Sequence, residues 1–93
     1  AYSELASGQA DAAVRKLEAN EAEHSGDPAT LINLGAAYAA VGRTDRAIAT
    51  YRAAIASNER YDLQLADGSW MDSRRAARIA LKNVLSANAQ AMR

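Results

Sequence analysis

The chain has no cysteine and no phenylalanine, and only one proline, one tryptophan and one histidine. Without cysteine there is no disulfide framework and no thiolate metal site. Neither sign of charge is in excess: eleven Lys and Arg balance eleven Asp and Glu, for a formal net charge of zero. A dedicated nucleic-acid binder would show a basic excess, so that class is set aside. No apolar run approaches the roughly 18 residues that suggest a membrane span. An initiator methionine and a signal-peptide pattern are also missing. The chain opens at Ala1 in mid-pattern, which reads as a cut or processed chain and leaves room for a removed targeting segment. With 93 residues there is enough for one small domain around one core.

What is present is alanine and arginine in abundance, the composition of a helical protein. The sequence also repeats. Gly8 and Gly42 stand 34 residues apart, and the pattern runs forward from each in step. "GQADAAVRKLEA" aligns with "GRTDRAIATYRA": Asp11 with Asp45, Ala13 with Ala47, Val14 with Ile48, Leu17 with Tyr51. Each segment reads as a turn glycine, a short polar link and a helix with apolar residues at i, i+1 and i+4. The first helix is expected from about Ala10 to Glu23, after a stub at Ala1–Ser7.

Between these segments lies a well-marked helix. Asp27 suits an N-cap, and Pro28 suits the first helical position, where its missing N–H costs nothing. Leu31, Leu34, Gly35, Tyr38 and Val41 share one face, and Gly42 ends the helix. Thr44 or Asp45 is expected to cap the next helix, which turns Ala47, Ile48, Tyr51, Ala54 and Ile55 inward. Small residues crowd this hairpin, as two helices in very close contact require.

Residues Pro28 to Tyr61 resemble one tetratricopeptide repeat. The family pattern is Trp-x2-Leu-Gly-x2-Tyr, then Ala-x3-Phe, then Pro, over 34 residues. Here Leu31, Leu34, Gly35, Tyr38, Ala47, Tyr51 and Ala54 fall in those steps. Leu31 replaces the aromatic, Tyr51 replaces Phe, and Glu59 stands where the closing proline belongs. The helix after Gly8 is similar to the second half of an earlier repeat. Asn20 and Glu21 there sit opposite Ala54 and Ile55, so the match weakens toward its end. The resemblance implies antiparallel helical hairpins, an α-solenoid fragment, with Gly35 and Ala47 at the closest contacts and Tyr38 and Tyr51 filling the remaining space.

Past Tyr61 the repeat stops. Asp67-Gly68 between alternating residues signals a hairpin with a two-residue type I′ turn. That turn places Leu65 opposite Trp70, with Leu63 on the same face, and Gln64 and Met71 pointing away. Asp72 or Ser73 then caps a final helix whose buried stripe is Ala77, Ala80, Leu81, Val84 and Leu85, fraying near Ala89–Arg93. The expected organisation is a single mostly α domain: a partial repeat at 1–27, a full repeat at 28–61, a β-hairpin at 61–73 and a capping helix at 73–93.

Little in the chain offers chemistry. His24 has only Glu21 and Asp27 nearby, a sparse set for a metal, and reads as a solvated histidine near a helix end. No Gly-x-Ser-x-Gly or phosphate-loop pattern occurs. Arg75 and Arg78, one turn apart, could grip an anion, but with Arg74 they read first as a solvated face in which Asp72 or Asp67 pairs with them. Trp70 reads as the pin of the ribbon, with an exposed binding hot spot as the alternative. No enzyme activity, cofactor or metal is expected.

The resemblance further implies a binding groove on the first helix of the repeat. That face carries Ala29, Ile32, Asn33, Ala36, Ala39 and Ala40. Only Asn33 is polar, so the clamp of basic residues that some family members use on a peptide carboxylate is not expected, and the groove suits a helix or a second copy. The leading expectation is a non-catalytic protein-interaction module contacting a protein or peptide through Ile32, Asn33, Ala36, Ala39 and Ala40. The alternative is self-association, as a homo-oligomer or as a segment of a longer solenoid, because a short stub would leave the first helix uncovered. Among locations, a bacterial periplasmic or secreted one is favoured over the cytoplasm.

Overall fold

The computed structural model describes the backbone of residues 2–91 and the side chains of residues 8–90. It contains helices α1 (Tyr2–Glu23), α2 (Pro28–Ala40) and α3 (Thr44–Ala56), strands β1 (Asp62–Gln64) and β2 (Trp70–Asp72), and helix α4 (Ser73–Ala91). The fold is thus mostly α with one small antiparallel two-stranded sheet. Of the fraying expected at the C-terminus, Met92 and Arg93 lie outside the described residues, and the chain is still helical through Ala91.

The ends of α2 follow from its sequence. The Asp27 carboxylate accepts from Ala29 N (3.1 Å) and from the Thr30 hydroxyl (3.1 Å), and buried Pro28 starts the helix. Gly42, at φ +81°, turns the chain into α3. There Arg43 occupies the cap position without a side-chain cap bond, so neither Thr44 nor Asp45 is the cap; both lie in the first turn.

The α2–α3 hairpin is antiparallel: Leu31 packs in one cluster with Ala54 and Ala77, and Leu34 and Tyr38 pack in another with Val14, Ala47 and Tyr51. Gly35 faces the Tyr51 ring. A methyl group there would sit 2.6, 2.8 and 3.0 Å from three ring atoms, well inside contact distance. Ala47 and Ala54 are fully buried on the facing helix. Small residues therefore occupy the contacts where backbones and ring close in, and the two tyrosines fill the volume left.

Helix α1 packs on α2, and α4 packs on α3, with a lesser contact to α2. Among the described residues the chain is helical from Tyr2, so no turn sets a stub apart from the helix expected at Ala10. Gly8 lies inside one continuous helix and lacks the positive φ of Gly42. A helical glycine costs only about 1 kcal/mol against alanine, too little to break a run with no proline. Val14 is buried and Leu17 half-buried, whereas Ala13, aligned with fully buried Ala47, is exposed, so this helix supplies core from two of the three aligned apolar positions.

The ribbon differs from expectation by one residue. Leu63 pairs with Met71 and Gln64 with Trp70. Gly68 N–H donates to Leu65 O (2.9 Å) and Leu65 N–H donates to Ser69 O (2.8 Å), so the loop is three residues long. Of the three loop residues only Gly68 has positive φ, +87°. This is a type I turn followed by a left-handed glycine, not a type I′ turn. Asp67 is held in it by accepting from Ser69 N (2.9 Å) and Ser69 Oγ (2.6 Å), bonds that lower its pKa, the hydroxyl most. A one-residue slip exchanges the faces of a strand. Leu63 and Met71 are half-buried, while Trp70 is 65% exposed beside Gln64.

Polar bonds fasten the ribbon and the helix ends. Ser73, fully buried, donates its N–H to Tyr61 O (2.7 Å) and accepts from Tyr61 N through its hydroxyl (3.1 Å). Buried Ser57 donates to Gly26 O (2.5 Å) and accepts from Glu59 N (3.2 Å), while its own carbonyl accepts from Arg74 Nη2 (2.9 Å). Ser57 thus joins the α1–α2 loop, the end of α3 and the start of α4. A serine ending a helix is a familiar turn former, but nothing in the sequence ties it to Gly26, 31 residues away.

Candidate functional site

The residues singled out on α2 do not share one environment. Asn33, Ala36, Ala39 and Ala40 are exposed. Ile32 is half-buried and packs against both core clusters, and Ala29 is half-buried. The exposed part is a shallow surface of small side chains with one amide and no charge, placed by the burial of Leu31, Leu34, Gly35 and Tyr38 on the other side of the helix.

The arginines of α4 separate. Arg74 turns into the fold toward Ser57 O, whereas Arg75 and Arg78 are exposed. Neither Asp67 nor Asp72 pairs with their side chains. Asp67 serves its own turn. Asp72 Oδ1 caps α4 by accepting from Arg74 N (2.8 Å) and Arg75 N (3.3 Å). Its Oδ2 accepts from Arg60 Nη2 at 2.7 Å and Nε at 3.2 Å. The Arg60 bond, followed by the backbone donors, holds the Asp72 carboxyl below the usual carboxylate range. His24 is exposed in the loop after α1, and among the described residues no three His, Asp or Glu side chains converge as metal ligands would.

One polar cluster went unseen in the sequence. The Tyr38 hydroxyl donates to Glu18 Oε2 at 2.6 Å, and the Arg46 guanidinium lies 4.0 Å from that oxygen and 5.9 Å from the Tyr38 ring centre. Burial, then the bond to Glu18, raises the Tyr38 pKa. The cluster links α1, α2 and α3. The raised pKa keeps the Tyr38 hydroxyl protonated, so the bond to Glu18 acts as a brace between the helices. Glu18 and Arg46 fall outside the apolar positions of the repeat pattern, so no pattern marked them.

Two depressions open beside α4. One, of about 400 Å3, is lined by Arg78, Leu81, Lys82, Leu85, Ser86 and Ala89. The other, of about 340 Å3, lies between Leu85 and the α3 residues Asp45, Ile48, Ala49 and Arg52. Leu85 was expected in the core stripe of α4 and is 41% exposed instead, because no element covers that side among the described residues. No described helix is long and apolar enough to cross a membrane. No protein-family model, characterised protein or solved structure significantly matches the chain.

Proposed function

We propose that this chain is a non-catalytic protein-interaction module, a tetratricopeptide-like fragment that binds a partner helix or peptide through α2. The contact residues are Asn33, Ala36, Ala39 and Ala40, with Ile32 at the edge of the core. The observation that carries this reading is the α2–α3 contact, in which Gly35 faces the Tyr51 ring, a close approach of the kind the resemblance implies. The flanking packing of α1 on α2 and of α4 on α3 is consistent with a short stack of such helices. Uncovered small side chains on α2 let a partner backbone approach closely.

The test uses the exposed pair Ala36 and Ala40, since Ile32 touches the core. Ala36→Glu with Ala40→Arg keeps helix-forming residues in the favourable i,i+4 order, so stability should move by only about a few tenths of a kcal/mol. Capture of a partner retained by the unaltered protein should be lost, because a charged pair must be desolvated against an apolar surface. Unchanged melting with unchanged capture would remove α2 as the contact surface.

Self-association is the second reading. A continuous α1 leaves no short stub, but it exposes Ala12, Ala13 and Ala19. Light scattering across a concentration series decides it, with a constant monomer mass as the negative result.

A further inference from the structure

From the depression on α4 we infer a second docking surface, fitted to an acidic amphipathic helix. Its floor is Leu81, Leu85 and Ala89, spaced four apart along one line of the helix. Leu81 also packs on the central core cluster, so the floor is anchored and not a loose surface side chain. From Arg78 to Ala89 the line runs about 17 Å, which accommodates roughly three turns of a partner helix. Leu85 continues the apolar strip into the neighbouring depression, toward Ile48 and Ala49 of α3. Such a strip takes leucine-like side chains at i, i+3 or i+4, and i+7.

Charge selects the occupant. Arg78 and Lys82 rim the depression, both exposed, and no ion pair engages either among the described residues. α4 carries Arg74, Arg75, Arg78 and Lys82 and no acidic residue. Asp45 lines the neighbouring depression and not the one rimmed by Arg78 and Lys82. A partner helix with Glu or Asp flanking its apolar stripe would meet both rim cations. A second copy docking α4 on α4 would instead bring two such cationic rims together, which is repulsive. Two cations and three apolar side chains are also a poor match to a nucleic-acid backbone, whose affinity rises with the number of phosphates neutralised.

The experiment uses two fluorescein-labelled peptides of about 14 residues, long enough for the surface. Both carry leucines at the helical stripe positions; one has glutamate on the flanks and its twin has lysine. Fluorescence anisotropy should show micromolar binding of the acidic peptide, weakening with salt, and binding of the lysine twin at least tenfold weaker. Leu85→Glu should lower the acidic peptide's affinity at least tenfold with little change in melting, since Leu85 is partly exposed. Arg78→Glu with Lys82→Glu should invert the preference between the twins. Equal binding of the twins, no binding of the acidic one, or unchanged affinity in Leu85→Glu overturns the inference. So does a concentration-dependent dimer abolished by Leu85→Glu, which would make the occupant a second copy. Binding to phosphatidylserine vesicles that outcompetes the acidic peptide would overturn it in favour of a membrane surface.

Discussion

Three connections carry a glycine at positive φ, Gly26, Gly42 and Gly68, and the hairpins turned by Gly42 at +81° and Gly68 at +87° differ in nearly everything else. The α2–α3 hairpin encloses the core: Leu34, Tyr38, Ala47 and Tyr51 are all at or below 5% exposure. The β1–β2 hairpin lies on the outside, with half-buried Leu63 and Met71 toward the body and Trp70 toward solvent. A turn glycine states where the chain reverses. Whether the joined elements carry the fold depends on the apolar area they bury, and the ribbon of three-residue strands buries little.

The largest expected effect lies in the helical hairpin. Tyr51→Ala empties a position at the centre of the core and should cost about 3–5 kcal/mol. Against a typical total of about 5–15 kcal/mol, that brings a domain of this size close to unfolding. Chemical denaturation monitored by circular dichroism measures it. A loss below about 1 kcal/mol would mean that the helical hairpin is no more essential than the ribbon.

Next is Gly35→Ala. In an exposed helix the change would gain up to about 1 kcal/mol. Here the new methyl group meets the Tyr51 ring, so overpacking of about 1–3 kcal/mol should prevail and the net effect should be destabilising. The double variant with Tyr51→Leu should recover part of the loss, because the clash is with the ring. A stabilised Gly35→Ala would show that the helices do not approach as closely as the structure places them.

The two hairpins also differ in how readable they were. The helical one was legible because several signals agreed: Asp27-Pro28 at one end, Gly42 at the other, and the spacing of Leu31, Leu34, Gly35 and Tyr38 between. The ribbon's existence was legible from Asp67-Gly68, but its register was not. Asp-Gly fits a two-residue type I′ turn and a three-residue loop ending in a left-handed glycine, and these differ by one residue in pairing. The bonds from the Ser69 N–H and hydroxyl to the Asp67 carboxylate suit the longer loop, whose register places Trp70 on the outer face and not the expected inner one. Gly8 was misread for a related reason: sequence alone does not distinguish a glycine that ends a helix from one inside it. Of the candidate surface, the exposure of Asn33, Ala36, Ala39 and Ala40 follows from helical periodicity. The opening beside Leu85 does not, because it depends on which element fails to cover α4.

A smaller effect tests how the ribbon is fastened. Asp72 both caps α4 and binds Arg60. Its folded pKa is lowered, chiefly by Arg60. Its contribution is therefore present above the ordinary carboxylate value of 3.8 and is lost as pH falls through the lower folded value. Asp72→Asn should melt close to the unaltered protein at neutral pH, because asparagine still caps, and its melting should fall less steeply on acidification through that window. Asp72→Ala should melt lower than Asp72→Asn at neutral pH. Equal melting of the two would mean that the cap at the end of the ribbon contributes nothing.

The smallest expected effect concerns Trp70 and decides the register. In the pairing of Gln64 with Trp70, the indole is 65% exposed. Trp70→Ala should then change stability by no more than about 0.5 kcal/mol, the usual range for a surface site. As the only tryptophan, Trp70 reports directly on its own surroundings. Its emission should already lie near that of a solvated indole in the folded protein, should be quenched efficiently by acrylamide, and should shift little on unfolding. In the alternative pairing of Leu65 with Trp70, the ring turns onto the helices, and the outcomes reverse: blue emission, poor quenching, a large red shift on unfolding and a loss of about 3–5 kcal/mol on truncation. The two registers therefore give opposite results on one side chain. A blue, protected Trp70 would make the ribbon part of the core and erase the difference between the hairpins.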